Sequence, residues 1–168
     1  MIALHVTDIK HFMNRLFLSE DFDAFRISEA TFVTFSTFHI DGQLQKDYYS
    51  AEELEEQQLT EQSCSSWRQV RPFCLSLIKG KHTPLEFKIV FRLSQANVQR
   101  LLQQSGLSFS INDVNGLFLN LHYQNGGLTC TTGTALSFFT LDKTLDHVWD
   151  DMVCKFFLQK DLSFEKNN

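Results

Sequence analysis

Apolar residues alternate at Ile2, Leu4 and Val6, the period of a half-buried strand, and then change step. Ile9, Phe12, Met13, Leu16 and Phe17 recur at helical spacing, with Thr7 placed to cap the helix. Two extended runs follow. Phe22 to Ser28 sets Phe25 and Ile27 on one face, and Ala30 to Ile40 reaches an Asp41-Gly42 dipeptide before QLQKDYY. Asp-Gly between extended apolar runs predicts a hairpin there.

The same order recurs further on. Ile89, Phe91 and Leu93 alternate, Ser94 is placed to cap a helix, and Val98, Leu101 and Leu102 form its apolar stripe. Phe109 and Ile111 stand 84 positions after Phe25 and Ile27, Leu117 and Leu119 stand 84 after Val33 and Phe35, and Asn125-Gly126 stands 84 after Asp41-Gly42. The pattern predicts an internal duplication. The expected fold is α+β: two related β-α-β-β(-β) halves with antiparallel sheet, a helical insert between them and a C-terminal helix. The corresponding segments are 1–49, 50–84, 85–141 and 142–160, all within one compact unit of 168 residues.

Within the insert, AEELEEQQL reads as a helix or solvated connector. Ser66 then caps a stripe of Trp67, Val70, Phe73, Cys74, Leu77 and Ile78 that Gly80 ends, and Pro72 either kinks this helix or lies in its first turn. Near the C-terminus Leu145, Val148, Trp149, Met152 and Phe156 form a helical stripe. This leaves Asp146, Asp150 and Lys155 outward, and Lys160 to Asn168 is expected to fray.

Composition adds constraints. Forty-three percent hydrophobic residues, 17 of them Phe, with only 7 Gly and 2 Pro, describe an ordered chain with an aromatic core. Cys64, Cys74, Cys130 and Cys154 lack CxxC spacing, so buried reduced thiols are expected rather than zinc or disulfides. The start MIALHVTDIKHF has no signal-peptide pattern and no apolar run is long enough to span a bilayer, which predicts a cytoplasmic protein without a membrane partner. The formal charge is −5, yet Arg68 to Arg100 holds seven bases against Glu86 alone, whereas Ala51 to Glu61 holds five Glu and no base. That acidic segment reads as a solvated face or a docking element.

Two β-α-β-β-β units side by side resemble the plan of the DNA sliding-clamp domain, in topology and without its motifs. That resemblance implies that the two repeated helices face DNA. Neither stretch contains an acid: Ile9 to Leu18 carries Lys10, Asn14 and Arg15, and Gln95 to Gln104 carries Asn97 and Arg100. These five are candidate contacts to nucleic acid, through salt-dependent phosphate binding. The wording of RPFCLSLIKGKHTPLEFKIVF and INDVNGLFLNLHYQNGGLTCTTGTALSFFTLDK is similar to an uncharacterised family of domains of unknown function common in anaerobic Gram-positive bacteria. This implies a bacterial source and no particular activity.

A second candidate is a small-anion site made by Arg68, Arg71, Lys79, Lys81 and His82 around IKGKHTP, which would make the protein an enzyme or sensor. The segment lacks the glycine pattern of a P-loop, and cations at a helix C-terminus are favoured by the dipole alone. His147 and Asp151 are one helical turn apart without further metal ligands, and TCTTGT reads as a hairpin with Gly133 at a bulge or turn. His39 and His122 lie in strands as hydrogen-bonded residues. The sequence therefore favours a non-catalytic binding or scaffold protein, with nucleic acid or another protein as partner, a homo-oligomer as a further option, and no catalytic residues, metal or cofactor expected.

Overall fold

The computed structural model describes residues 1–167. The elements in chain order are β1 (Ala3–Val6), α1 (Ile9–Leu18), β2 (Arg26–Val33), β3 (Thr37–Asp41), α2 (Ala51–Glu56), α3 (Trp67–Ile78), β4 (Glu86–Arg92), α4 (Gln95–Ser105), β5 (Val114–Gln124), β6 (Gly127–Leu136), α5 (Thr144–Gln159) and β7 (Phe164–Asn167). The strands form one antiparallel sheet in the order β3-β2-β4-β5-β6-β1-β7. The fold class is thus α+β.

Period-two patterning gives the sheet one apolar face. On β4, Phe87, Ile89 and Phe91 are buried while Lys88 is exposed; Leu117, Leu119 and Leu121 on β5 and Leu128 and Cys130 on β6 continue the same layer. The opposite face carries Thr31, Lys88, His122, Thr129 and His5, in consecutive register across five strands. Phe91 holds the aromatic core together. Its ring stacks on Phe22 at 5.7 Å and Phe25 at 5.3 Å and meets the edge of Trp67 at 5.1 Å. Each such pair adds about 0.5–1.5 kcal/mol beyond the area buried.

The helices start where their caps dictate. Asp8 caps α1, its carboxylate accepting from the His11 N–H at 3.1 Å. Thr7, the expected cap, is one residue too early. Ser66 and Gln69 form a reciprocal capping box on α3, and Ser94 caps α4, which ends at Gly106 in the left-handed region. Pro72 lies in the second turn of α3, not the first. The insert is integral to the fold, since the indole N–H of Trp67 donates to the Leu16 carbonyl at 2.9 Å.

The first hairpin departs from expectation. Phe22 to Phe25 form turns that feed the aromatic cluster, the strand starts at Arg26, and the chain reverses at Thr34–Ser36. Asp41-Gly42 is not a hairpin turn. A Cβ on Gly42 would stand 1.8 Å from the Ile27 carbonyl oxygen, so this glycine permits a close backbone crossing. Asn125-Gly126, by contrast, does form a two-residue turn with both φ positive, joining β5 to β6.

Spacing by 84 therefore does not mark equivalent positions. Phe35 stands 91% exposed in a turn where Leu119 is buried mid-strand, and Ile111 opens a 3-10 turn where Ile27 is in a strand. The two β-α-β-β runs also pair differently: β4 lies beside β5, whereas β1 lies between β6 and β7. Three smaller expectations are likewise corrected. Gly133 sits within the continuous strand β6, where an added Cβ would lie 3.9 Å from the Phe118 Cβ. Asp150 and Asp146 point to the sheet, where they accept hydrogen bonds from Thr132 and Thr134. Phe164–Asn167 pairs with β1 instead of fraying, and Asn168 lies outside the described residues.

Candidate functional site

The two acid-free helices do not lie side by side. Phe12 of α1 meets Phe157 of α5 with ring centroids 5.5 Å apart. On the other side of α5, Val148, Asp151, Met152 and Lys155 face α4. Val148 and Phe157 are nine residues apart, about 180° around the helix, so α5 separates α1 from α4.

Of the five residues expected on one positive face, Lys10 and Asn14 are exposed on α1. Arg15 is committed elsewhere. Its Nε lies 3.0 Å from Asp21 Oδ2 and 3.3 Å from the Lys160 carbonyl, and Lys160 Nζ lies 3.4 Å from the same carboxylate. This pairing fastens the end of α1 to the end of α5. Asn97 and Arg100 lie on α4, where the Arg100 guanidinium donates to Asn97 Oδ1 at 3.1 Å.

Asn97 and Arg100 also line a groove of about 480 Å³ between α4 and α5. From α4 come Asn97, Arg100, Leu101 and Gln104, from α5 Val148, Asp151, Met152 and Lys155, both at the i, i+3, i+4, i+7 spacing of one helix face. Leu101, Val148 and Met152 supply apolar surface, Arg100 and Lys155 positive charge, and Asp151 a single negative charge. An apolar seam between charged flanks is the form that accepts an amphipathic segment. Sequence reading identified the α4 side alone. The other side was hidden because Val148 and Met152 share one apolar stripe with the core residues Leu145 and Trp149.

The basic segment between residues 68 and 82 does not assemble. Arg71 is held in a bidentate pair with Asp23, at 2.9 and 3.0 Å, and faces the Phe17 carbonyl. Arg68, Lys79, Lys81 and His82 are exposed, and none of the four described clefts is lined by them. His147 and Asp151 stay on the exposed side of α5, and among the described residues no third metal-ligating group joins them. On the open sheet face His39 bonds to Thr31 at 3.1 Å and His122 to Glu86 at 2.8 Å. The hydrogen bond from His122, aided by Lys88, holds the Glu86 carboxyl below its usual value despite opposing desolvation.

Cys74 and Cys130 are fully buried, and burial pushes the Cys74 thiol up to about 12 and the Cys130 thiol further upward. Cys154 is buried as well, which leaves Cys64 as the half-exposed thiol. No described helix is long and apolar enough to cross a membrane.

Fold and surface together define an α+β domain with one open antiparallel sheet face and a two-helix groove on the covered side. The chain belongs to the family of unknown function DUF5721, whose model matches residues 15–165. No curated protein and no solved structure is significantly similar to it.

Proposed function

We propose that this chain is a non-catalytic binding domain that receives a short amphipathic helix of another polypeptide in the α4/α5 groove. The observation that carries the reading is the pair of facing helical stripes, with Leu101, Val148 and Met152 between Arg100 and Lys155. From Asn97 to Ser105 the groove runs about 12 Å, the rise of roughly two helical turns. Two apolar side chains at i and i+4 would fill such a length, and acidic flanks would complement Arg100 and Lys155. The bacterial, cytoplasmic setting expected from the sequence belongs to the same proposal.

A photo-crosslinking amino acid at Gln104, with a control at Lys10, tests this in cells expressing the full chain. One dominant polypeptide adduct at position 104, lost in a folded Met152→Glu variant, supports it. Equal labelling at both positions, or none, refutes it. The nucleic-acid reading competes directly: salt-sensitive DNA binding abolished by Arg100→Glu would place nucleic acid at α4 instead.

A further inference from the structure

Where β2, β4 and α4 meet, two arginines line one cleft. Arg26 opens β2 and Arg92 closes β4, and the two are direct register partners. Directly opposed residues hold their Cβ atoms about 4.5–5.5 Å apart, and like charges there are destabilising. Each arginine is steered by neutral groups. Arg92 lies over the Phe118 ring, 5.8 Å from its centroid, and donates to the Asn115 carbonyl, while Arg26 donates to the Ala24 carbonyl at 3.4 Å. Among the described residues neither forms an ion pair with a carboxylate.

Both line a cleft of about 190 Å³, together with Glu61, Cys64 and the first-turn residues Gln95 and Ala96 of α4. Burial pushes the Arg26 guanidinium down from its ordinary value, with Cys64 acting weakly the other way. Two cations without a carboxylate partner thus line one cleft, Arg26 partly stripped of water, an arrangement that an anion in the cleft would relieve. Guanidinium forks match paired oxyanion oxygens, and the dipole of the 11-residue α4 adds attraction. The volume falls below the roughly 300 Å³ at which sites for drug-sized ligands begin, which limits the ligand to a few heavy atoms.

We propose that Arg26 and Arg92 form a binding site for a small dianionic oxyanion, phosphate or a small phosphate monoester. The site is separate from the α4/α5 groove and does not depend on what occupies it. Glu61 is the opposing charge in its wall, so removing that charge strengthens binding.

Calorimetric titration of the full chain with inorganic phosphate, against sodium chloride of matched ionic strength, tests the assignment. Phosphate binds beyond the chloride control, Arg26→Gln and Arg92→Gln each weaken it at least about tenfold, and Glu61→Gln tightens it. Arg15→Gln, which alters an arginine already paired with Asp21, leaves it unchanged. Titration with glycerol phosphate separates the sources: tighter binding than phosphate identifies an ester ligand, equal binding the free anion, and both sustain the site. In the unmodified chain, phosphate shifts the amide resonances of Gln95 and Ala96, a readout independent of whether the arginine variants fold. Absence of phosphate-specific binding, retention of it in both arginine variants, or amide shifts elsewhere in the chain overturns the proposal.

Discussion

Replacing Gly42 by alanine isolates the effect of one close backbone crossing. The added Cβ would stand 1.8 Å from the Ile27 carbonyl oxygen and 2.8 Å from that of Ser28. An ordinary C–H to carbonyl contact is about 3.3 Å, so the two segments must part by about 1.5 Å. Three backbone hydrogen bonds cannot follow such a shift: Gly42 N–H to Ser28 at 2.9 Å, Ser65 N–H to Gly42 at 2.8 Å, and Ile27 N–H to Ser65 at 2.8 Å. At about 1 kcal/mol each the cost is about 3 kcal/mol, or a fall in Tm of roughly 6–12 °C for a chain of this size. Gly126→Ala is the control. Its φ is +76° and nothing lies within 4 Å of the new Cβ, so only backbone strain of about 1 kcal/mol is expected. Urea denaturation measures both through the midpoint at constant m. A Gly42→Ala midpoint equal to the unmodified protein, or a larger loss in Gly126→Ala, refutes the crossing as the reason for glycine.

Asp23→Ala strands the partly buried Arg71 without its bidentate partner and costs about 2 kcal/mol, less than a fully buried pair because Arg71 retains some solvent; thermal unfolding beside Asp23→Asn measures it. Trp67→Phe leaves the Leu16 carbonyl without its donor inside the core, for a loss of about 1–3 kcal/mol by urea titration. Native-state alkylation followed by mass spectrometry labels Cys64 before Cys74, Cys130 and Cys154, and equal labelling of a buried thiol would contradict the packing. Because the folded-state pKa of Glu86 is depressed, its contribution to stability is present above the unfolded value and is lost as pH falls through the folded one. His122→Ala moves the Glu86 titration upward, read by carboxyl NMR.

Period and cap made much of this fold legible. Ser66 and Ser94 sit at the starts of their helices, and the alternation of Ile89, Phe91 and Leu93 foretold the buried face that β4 presents. The first hairpin was hidden because its turn, Thr34-Phe35-Ser36, has no Gly, Pro, Asn or Asp to mark reversal, while the glycine nearby serves a different steric need. Asp146 and Asp150 misled because charge ordinarily points outward, and the threonines that satisfy them lie on another strand. Half of the groove could be read, since Asn97 and Arg100 share one helix. Arg26 and Arg92 could not be matched, because strand pairing alone brings together residues 66 positions apart.

The position of β1 carries a consequence for how the chain is made. Its neighbours, β6 and β7, begin at residues 127 and 164. A ribosome delivers β1 more than 100 residues ahead of either partner, so the strand must wait with both edges open while they are made. The β2–β3 hairpin and its pairing with β4 can form from residues 26–92 in the meantime. Completion of the sheet therefore depends on pairing between the two ends of the chain, which makes it a late and comparatively slow event in folding.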